Sequence, residues 1–289
     1  VRLAKYRDQA GAVAAGVFDD YLLRPLALGR ARGPQTVADL LAAPDPTALA
    51  YQLFNPAGTV VPLSAVTLLS PIDEQEVWAA GVTYLRSKTA REEESASAGG
   101  ASFYDRVYSA PRPELFLKAT ASRVVGPGQP IRARADSRWT VPEPELALVI
   151  SPDMRIVGYT IGNDVSARDI EGENPLYLPQ AKVYKQSCAL GPCVTLAAAM
   201  PPRDSVRIRI TVTRDGVAAF ESETGLNRMA RPLEELVDWL GRENEFPNGV
   251  ILLTGTGVVP PDDFTLLAGD VVSISIDGIG TLTNPVVVG

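Results

Sequence analysis

The chain has 289 residues, 46% of them hydrophobic and 21% charged, with 27 Lys+Arg against 34 Asp+Glu. That length buries a large core in one domain or two, and that balance excludes wholesale disorder. A formal net charge of −7 lacks the basic field that nonspecific nucleic-acid binding needs. The chain contains no histidine. Ser-His-Asp and Cys-His catalysis, His-ligated zinc and an imidazole proton shuttle are therefore all excluded. Acid–base work falls to carboxylates, Lys, Tyr, Cys or metal-bound water. Cys188 and Cys193 are too few for a disulfide framework. With no apolar run of membrane-spanning length and no apolar segment in Val1-Arg2-Leu3-Ala4-Lys5-Tyr6, the expectation is a cytoplasmic protein with no membrane contact.

In chain order, residues 2–6 and 11–18 read as short strands, with Asp19-Asp20 in the turn that follows. Thr36 is an N-cap candidate for a short helix, because Val37, Leu40 and Leu41 follow at helical spacing. Residues 63–69 read as a strand that leads through Ser70-Pro71-Ile72 into a second region. A boundary is therefore expected near residue 70, with a small N-terminal α+β domain over 1–70 and a larger domain over 71–289. Residues 85–112 differ in composition. They pass from the charged run Arg86-Ser87-Lys88-Thr89-Ala90-Arg91-Glu92-Glu93-Glu94 to the small, polar run Ser95-Ala96-Ser97-Ala98-Gly99-Gly100-Ala101-Ser102. Such an excursion is either a disordered insert or a functional lid. Strand-like runs follow at 114–118, 141–150, 155–162, 206–214, 250–253, 271–276 and 281–288, bounded by Gly, Pro, Asp or Asn. One helix stands out over 232–242, with Leu233, Leu236, Val237 and Leu240 on one face and Pro232 in its first turn. Strands dominate and do not alternate with helices, so the pattern predicts a β-rich α+β sandwich or roll.

The chemistry-bearing stretch is Val141-Pro142-Glu143-Pro144-Glu145-Leu146-Ala147-Leu148-Val149-Ile150. Residues two apart on a strand share a face, so Glu143 and Glu145 project together, in line with Ala147 and Val149. Leu146, Leu148 and Ile150 make the other face apolar too, which places both faces under cover. Two carboxylates there repel each other and lose hydration unless a cation joins them or a pKa rises. The alternative is an exposed strand end with both glutamates in water or paired with arginines. A second run, Ile156-Val157-Gly158-Tyr159-Thr160-Ile161-Gly162-Asn163-Asp164, ends in an acid that strand pairing can bring beside the first two. Three carboxylates make an all-oxygen site suited to Mg²⁺, Mn²⁺ or Ca²⁺, and three negative charges against a divalent ion leave it anionic. Alone, Asp164 reads equally as a turn residue after a strand.

The Glu-x-Glu strand, Gly158-Tyr159-Thr160-Ile161-Gly162-Asn163-Asp164-Val165-Ser166-Ala167-Arg168-Asp169, Leu253-Thr254-Gly255-Thr256-Gly257, and Gly269-Asp270-Val271-Val272 with Gly280-Thr281-Leu282-Thr283-Asn284-Pro285-Val286 resemble the fumarylacetoacetate hydrolase superfamily from about residue 75 to the C-terminus. The resemblance implies a mixed β-sandwich roll, a Mg²⁺-type ion held by Glu143, Glu145 and Asp164, and a homodimer or homotetramer. Hydrolases of this group carry a lid histidine. Here Gly81-Val82-Thr83-Tyr84-Leu85-Arg86-Ser87 puts Ser87 at that position, a candidate substrate contact that cannot activate water as imidazole does. The run Gly172-Glu173-Asn174-Pro175-Leu176-Tyr177-Leu178-Pro179-Gln180-Ala181-Lys182-Val183-Tyr184 is similar to the 2-keto-3-deoxy-D-arabinonate dehydratase branch, which removes water to give 2,5-dioxopentanoate. Dehydration of a keto acid needs no activated water. A cation polarises the C2 ketone, a base takes a C3 proton, and the C4 hydroxyl leaves.

Lys182, in the branch-like run, is a candidate base; a surface ion pair is its alternative. Glu114 and Lys118 share a strand face with Phe116. The resemblance makes Glu114 a proton-transfer candidate and Lys118 a substrate or carboxylate partner, against a simple same-face ion pair. Arg168 can fork onto a substrate carboxylate or hydroxyl, or merely bridge Asp169 or Glu171. Thr256 can offer its hydroxyl and N–H to the substrate, or simply sit in a tight turn. The rival chemistry on the same metal site is hydrolysis of an acylpyruvate-like acid with Glu92, Glu93 or Glu94 activating water, or decarboxylation or isomerisation of a related keto acid. A catalytically silent keto-acid binder is the reading from another class.

Overall fold

Period-two burial builds this molecule from sheets. The computed structural model describes residues 1–19, 21–29, 33–54, 58–84 and 107–289. In chain order its strands are β1 (Arg2–Arg7), β2 (Val13–Asp19), β3 (Leu22–Pro25), β4 (Val61–Pro62), β5 (Thr67–Leu69), β6 (Glu76–Gly81), β7 (Glu114–Ala119), β8 (Val124–Val125), β9 (Ile131–Ala133) and β10 (Thr140–Val141). They continue with β11 (Pro144–Ile150), β12 (Ile156–Asp164), β13 (Ser166–Ala167), β14 (Cys188–Leu196), β15 (Arg207–Arg214), β16 (Val217–Gly225), β17 (Val250–Leu253), β18 (Val271–Ile276) and β19 (Gly280–Val288). A large sheet runs β4-β3-β2-β1-β14-β12-β11-β17-β6-β7, with β5 added to β1 and β8 to β14. A smaller one runs β16-β15-β18-β19-β9, and β10 pairs β13. Most pairs are antiparallel, but β17 with β6, β14 with β8 and β19 with β9 are parallel, so both sheets are mixed.

Every residue of β11 is buried. Leu146, Leu148 and Ile150 join a core shared with Ile208, Ile210, Val272 and Ile274 of the smaller sheet and with Leu236 and Leu240. Ala147 and Val149 face a second core with Ile251, Leu253, Val37, Leu40 and Ala50. The expectation that this strand is covered on both faces holds. Each fully buried aliphatic side chain contributes about 1.5–3 kcal/mol of transfer free energy. Leu148→Ala, at 0% exposure, should therefore cost about 2–5 kcal/mol, cavity included. A urea denaturation midpoint unchanged from the parent would contradict that packing.

The helices follow local rules. Thr36 caps Val37–Leu41: its hydroxyl accepts from the Asp39 N–H at 3.0 Å, and Asp39 returns the bond to the Thr36 N–H at 3.0 Å. Leu233–Leu240 buries Leu233, Leu236, Val237 and Leu240, with Pro232 at its N-cap and Glu234 and Glu235 in its first turn.

Several boundaries differ from those read in the sequence. Residues 63–69 divide into a 3₁₀ turn, Leu63–Ala65, and the short β5. The 141–150 run breaks at Pro142-Glu143, because prolines on both sides of Glu143 supply no N–H to a ladder; β10 pairs β13 instead. Strands β3, β4, β6, β8, β9, β13, β14 and β16 lie outside the runs that read as strands in the sequence. In β14, the Gly191-Pro192 dipeptide, of a type common in turns, sits inside a fully buried strand where pairing with β12 slips between Tyr159 and Ile161. Residues 1–70 extend the large sheet, with β1 lying between β2 and β14.

Candidate active site

β11 and β12 set the site. Their register places Pro144 opposite Asn163 and Glu145 opposite Gly162. One step further, the Asp164 N–H donates to the Glu143 carbonyl at 3.0 Å, and the Asn163 side-chain oxygen accepts from the Glu143 N–H at 3.1 Å. These bonds fix the backbone where the prolines leave the ladder incomplete. Glu143, Glu145 and Asp164 converge as a result: one carboxylate oxygen from each lies within 4.8 Å of the others, and all three residues are buried.

Cations surround them. Lys182, at the end of the helix Leu178–Lys182, directs Nζ to Glu143 Oε2 at 2.7 Å, Asp164 Oδ2 at 3.2 Å and Ser166 Oγ at 2.5 Å. Arg168 Nη2 donates to Glu143 Oε1 at 2.9 Å. Lys118 Nζ lies 2.6 Å from Asp164 Oδ1 and donates to the carbonyls of Val165 (2.9 Å) and Lys182 (2.6 Å). Each of the three cations is buried. Three carboxylates facing three cations make a balanced cluster rather than the anionic one that a count of ligands against a divalent ion suggests. The cations come from β7, the helix Arg168–Glu173 and the helix Leu178–Lys182, elements distant in sequence from the Glu-x-Glu strand.

The balance is uneven within the cluster. Burial, and then the Asp164 and Glu143 carboxylates, push the pKa of Glu145 well above the usual carboxylate range; Lys182 and the Gly255 N–H oppose this only in part. That N–H donates to Glu145 Oε2 at 2.6 Å. A carboxylate so disfavoured in its charged form is relieved by a nearby cation, and three oxygens of three carboxylates are the hard donors Mg²⁺ takes. The space among the triad, Gly81, Phe116 and Thr256 is ≈ 10 Å³, the size of one water-sized body. The residues present fit a small divalent ion.

The other sequence candidates fall as follows. Arg168 grips Glu143, whereas Asp169 is engaged by Ser137 Oγ at 2.6 Å and the Arg138 N–H at 2.7 Å. Lys118 faces protein acceptors rather than open space, so it is the carboxylate's partner of the two roles considered. Glu114 stands opposite Gly81 at the start of β7, on the face that carries Phe116 and Lys118. The Thr256 hydroxyl is held within its own turn, donating to the Val258 carbonyl at 3.1 Å and accepting from the Val258 N–H at 3.2 Å. Ser87 and Glu92 to Glu94 lie outside the described residues, as does most of the 85–112 stretch.

Sequence reasoning missed three contributors. Ser166 accepts from Lys182 and donates to the Asp164 carbonyl at 3.0 Å; nothing in its spacing marks it. Phe116 places its ring 5.6 Å from Lys182 Nζ, and its alternation with Glu114 and Lys118 was a usable signal. Val82 lines the same space with φ 54, a left-handed conformation that a β-branched residue adopts only under constraint. Thr83 Oγ1 supplies one constraint, donating to the Thr254 carbonyl at 2.6 Å beside Gly255, whose φ is +89. A side chain at Gly255 would strike Thr83 and the Ala80 carbonyl, so this glycine is there for close backbone approach.

Residues 76–287 match the C-terminal domain of fumarylacetoacetate (FAA) hydrolase. The chain belongs to the fumarylacetoacetate hydrolase family. Its fold is that family's β-rich arrangement of mixed sheets with few helices. Among relatives, a probable 2-keto-3-deoxyxylonate dehydratase of Haloferax volcanii is 50% identical over 216 residues, 75% of this chain and 73% of that one. The 2-dehydro-3-deoxy-D-arabinonate dehydratase of Saccharolobus solfataricus is 45% identical over 225 residues, 78% of this chain and 76% of that one. A solved 2-keto-3-deoxy-D-arabinonate dehydratase, complexed with magnesium and 2,5-dioxopentanoate, superposes with a TM-score of 0.83 at 35% identity, covering 100% of this chain and 99% of that one. No helix among the described residues of this family member is long and apolar enough to cross a membrane.

Proposed function

We propose that this enzyme is a Mg²⁺-dependent hydro-lyase that converts 2-keto-3-deoxy-D-arabinonate to 2,5-dioxopentanoate and water, a step of pentose oxidation. The observation that carries the reading is the buried carboxylate triad with Lys182 against it, in a chain with no histidine. The names of the two sequence relatives and the magnesium and 2,5-dioxopentanoate bound to the structural one support it. Glu143, Glu145 and Asp164 would hold the ion, with Mn²⁺ or Ca²⁺ as substitutes. Bound there, it supplies Lewis-acid polarisation of the substrate's C2 ketone, which acidifies C3.

The protein's own groups do the rest. Lys182 Nζ, in its neutral form, takes the C3 proton, oriented by Ser166 and by the Phe116 ring. The proton that Lys182 has taken passes to the C4 hydroxyl, which departs as water and leaves a C3–C4 double bond. A proton shift from C5 to C3, with Glu114 as the second proton-transfer group, and ketonisation of the C4–C5 enol then give the C5 aldehyde. Arg168 holds Glu143 and would contact a carboxylate or hydroxyl of the substrate. The Thr256 N–H and Ser87 serve the substrate's carboxylate and hydroxyls, and Lys118 orients Asp164. With Lys182 neutral as the base, Lys118, Arg168 and a divalent ion would set four positive charges against the three of the triad. That excess of one would match a keto-acid monoanion and favour negative charge developing on the ketone oxygen. The proposed setting is a cytoplasmic homodimer or homotetramer. The family resemblance supports the assembly, and two buried free cysteines support a reducing compartment.

Product analysis tests this directly. Purified protein with Mg²⁺ should convert 2-keto-3-deoxy-D-arabinonate to a dioxo acid carrying an aldehyde, and EDTA should stop the reaction. Pyruvate plus a second acid from an acylpyruvate would instead identify a hydrolase, and full conversion after chelation would refute the metal's role.

A further inference from the structure

Gly81 and Glu114 close the ladder between β6 and β7. Beyond them the two chains part, Val82 to Tyr84 running on from β6 and Val107 to Pro113 running into β7. Both stems land on one short segment. On the first, the Ala230 N–H donates to the Thr83 carbonyl at 2.9 Å, and Tyr84 forms an antiparallel bridge with Met229. On the second, Arg231 Nη2 donates to the carbonyls of Val107 (2.9 Å) and Ala110 (2.6 Å), and Nη1 reaches that of Pro111 (3.5 Å). Glu235, one helical turn on, holds Nη1 at 2.6 Å. The segment is itself pinned, because Arg203 Nη2 donates to the carbonyls of Met229 (2.7 Å) and Arg231 (3.4 Å). Arg231 is only 7% exposed. A planar fork can serve several carbonyls at once where an ammonium acts as a point charge.

This geometry points to Arg231 as a positioning residue of the active site: its guanidinium ties the second stem to the segment whose backbone holds the first, and so fixes Val82 and Glu114, at the ends of the paired strands β6 and β7, relative to each other. The left-handed Val82 turn needs such bracing, since strain of this kind persists only where the surroundings over-determine it. Arg231 touches no substrate and acts through the backbone. The kinetic consequence rests on the dehydratase reading; the structural coupling does not.

Hydrogen–deuterium exchange on Arg231→Ala separates the two. Exchange should rise by about tenfold or more at both stems, residues 81–84 and 107–115, while the β11 and β12 amides stay protected. In the dehydratase assay kcat should fall about 10–100-fold, the usual cost of losing a residue that orients others. The Mg²⁺-induced rise in Tm should be unchanged. Arg231→Lys should fold like the parent and restore only part of the protection. If Arg231→Ala fails to fold, Glu235→Gln should show the same joint loosening in smaller degree. Faster exchange at 107–115 alone, with 81–84 and kcat as in the parent, overturns the proposal. A parent protein without dehydratase activity removes the reaction assignment but leaves the exchange result decisive.

Discussion

Asp164→Asn is expected to abolish Mg²⁺-dependent turnover and, with it, the stabilisation that Mg²⁺ confers. Asp164 receives Lys182 on one oxygen at 3.2 Å and Lys118 on the other at 2.6 Å. A carboxamide keeps the shape but removes a ligand charge and turns a donor toward an ammonium. The buried lysines then face two carboxylates in place of three, and breaking such a buried pair costs about 3–5 kcal/mol. The parent's Tm should rise with Mg²⁺ in proportion to binding; the variant's Tm should start lower and stay flat across the titration. Circular dichroism should show the strand content retained. Parent-like turnover, or an equal rise of Tm with Mg²⁺, would mean that the ion binds elsewhere.

Lys182→Ala should produce the opposite split. Removing a general acid–base group costs about 10²–10⁴-fold in kcat. Removing a positive charge within 2.7 Å of Glu143 and 3.2 Å of Asp164 should meanwhile leave Mg²⁺ affinity intact or raise it, because two cations no longer compete for the same oxygens. Washing the C3 protons of the substrate into D₂O, followed by NMR, isolates the step: the parent should exchange them and the variant should not. A variant that exchanges C3 protons at the parent's rate leaves Lys182 with an electrostatic role only.

The contrast between these two residues tracks how each was visible before folding. Asp164 could be reached from the sequence because β11 and β12 are consecutive and apolar, and pairing two such runs places their acidic ends together. Lys182 carried no local mark of burial, and its alternative as a surface ion pair was equally open. Only the helix Leu178–Lys182, packed against β7 and β13, puts its ammonium at 1% exposure. Lys118, read as a substrate or carboxylate partner, is likewise decided by packing, which turns it toward Asp164 and two backbone carbonyls.

Boundaries failed where the local signal and the tertiary demand disagree. Gly191-Pro192 carries turn chemistry but lies in β14, because burial on both faces outweighs local preference. Glu143 reads as strand but stands between two prolines that end the ladder. By itself, the sequence determined the β-rich architecture, the capped helix at Thr36, the absence of imidazole chemistry and the pairing of two carboxylates on one strand. These rest on composition and on periods of two to four residues, which neighbouring positions express without help. The tertiary structure alone decided the charge balance of the site, the strained turn at Val82 and the brace at Arg231. Each depends on atoms brought within about 3 Å from positions tens of residues apart, and no local pattern encodes such a distance.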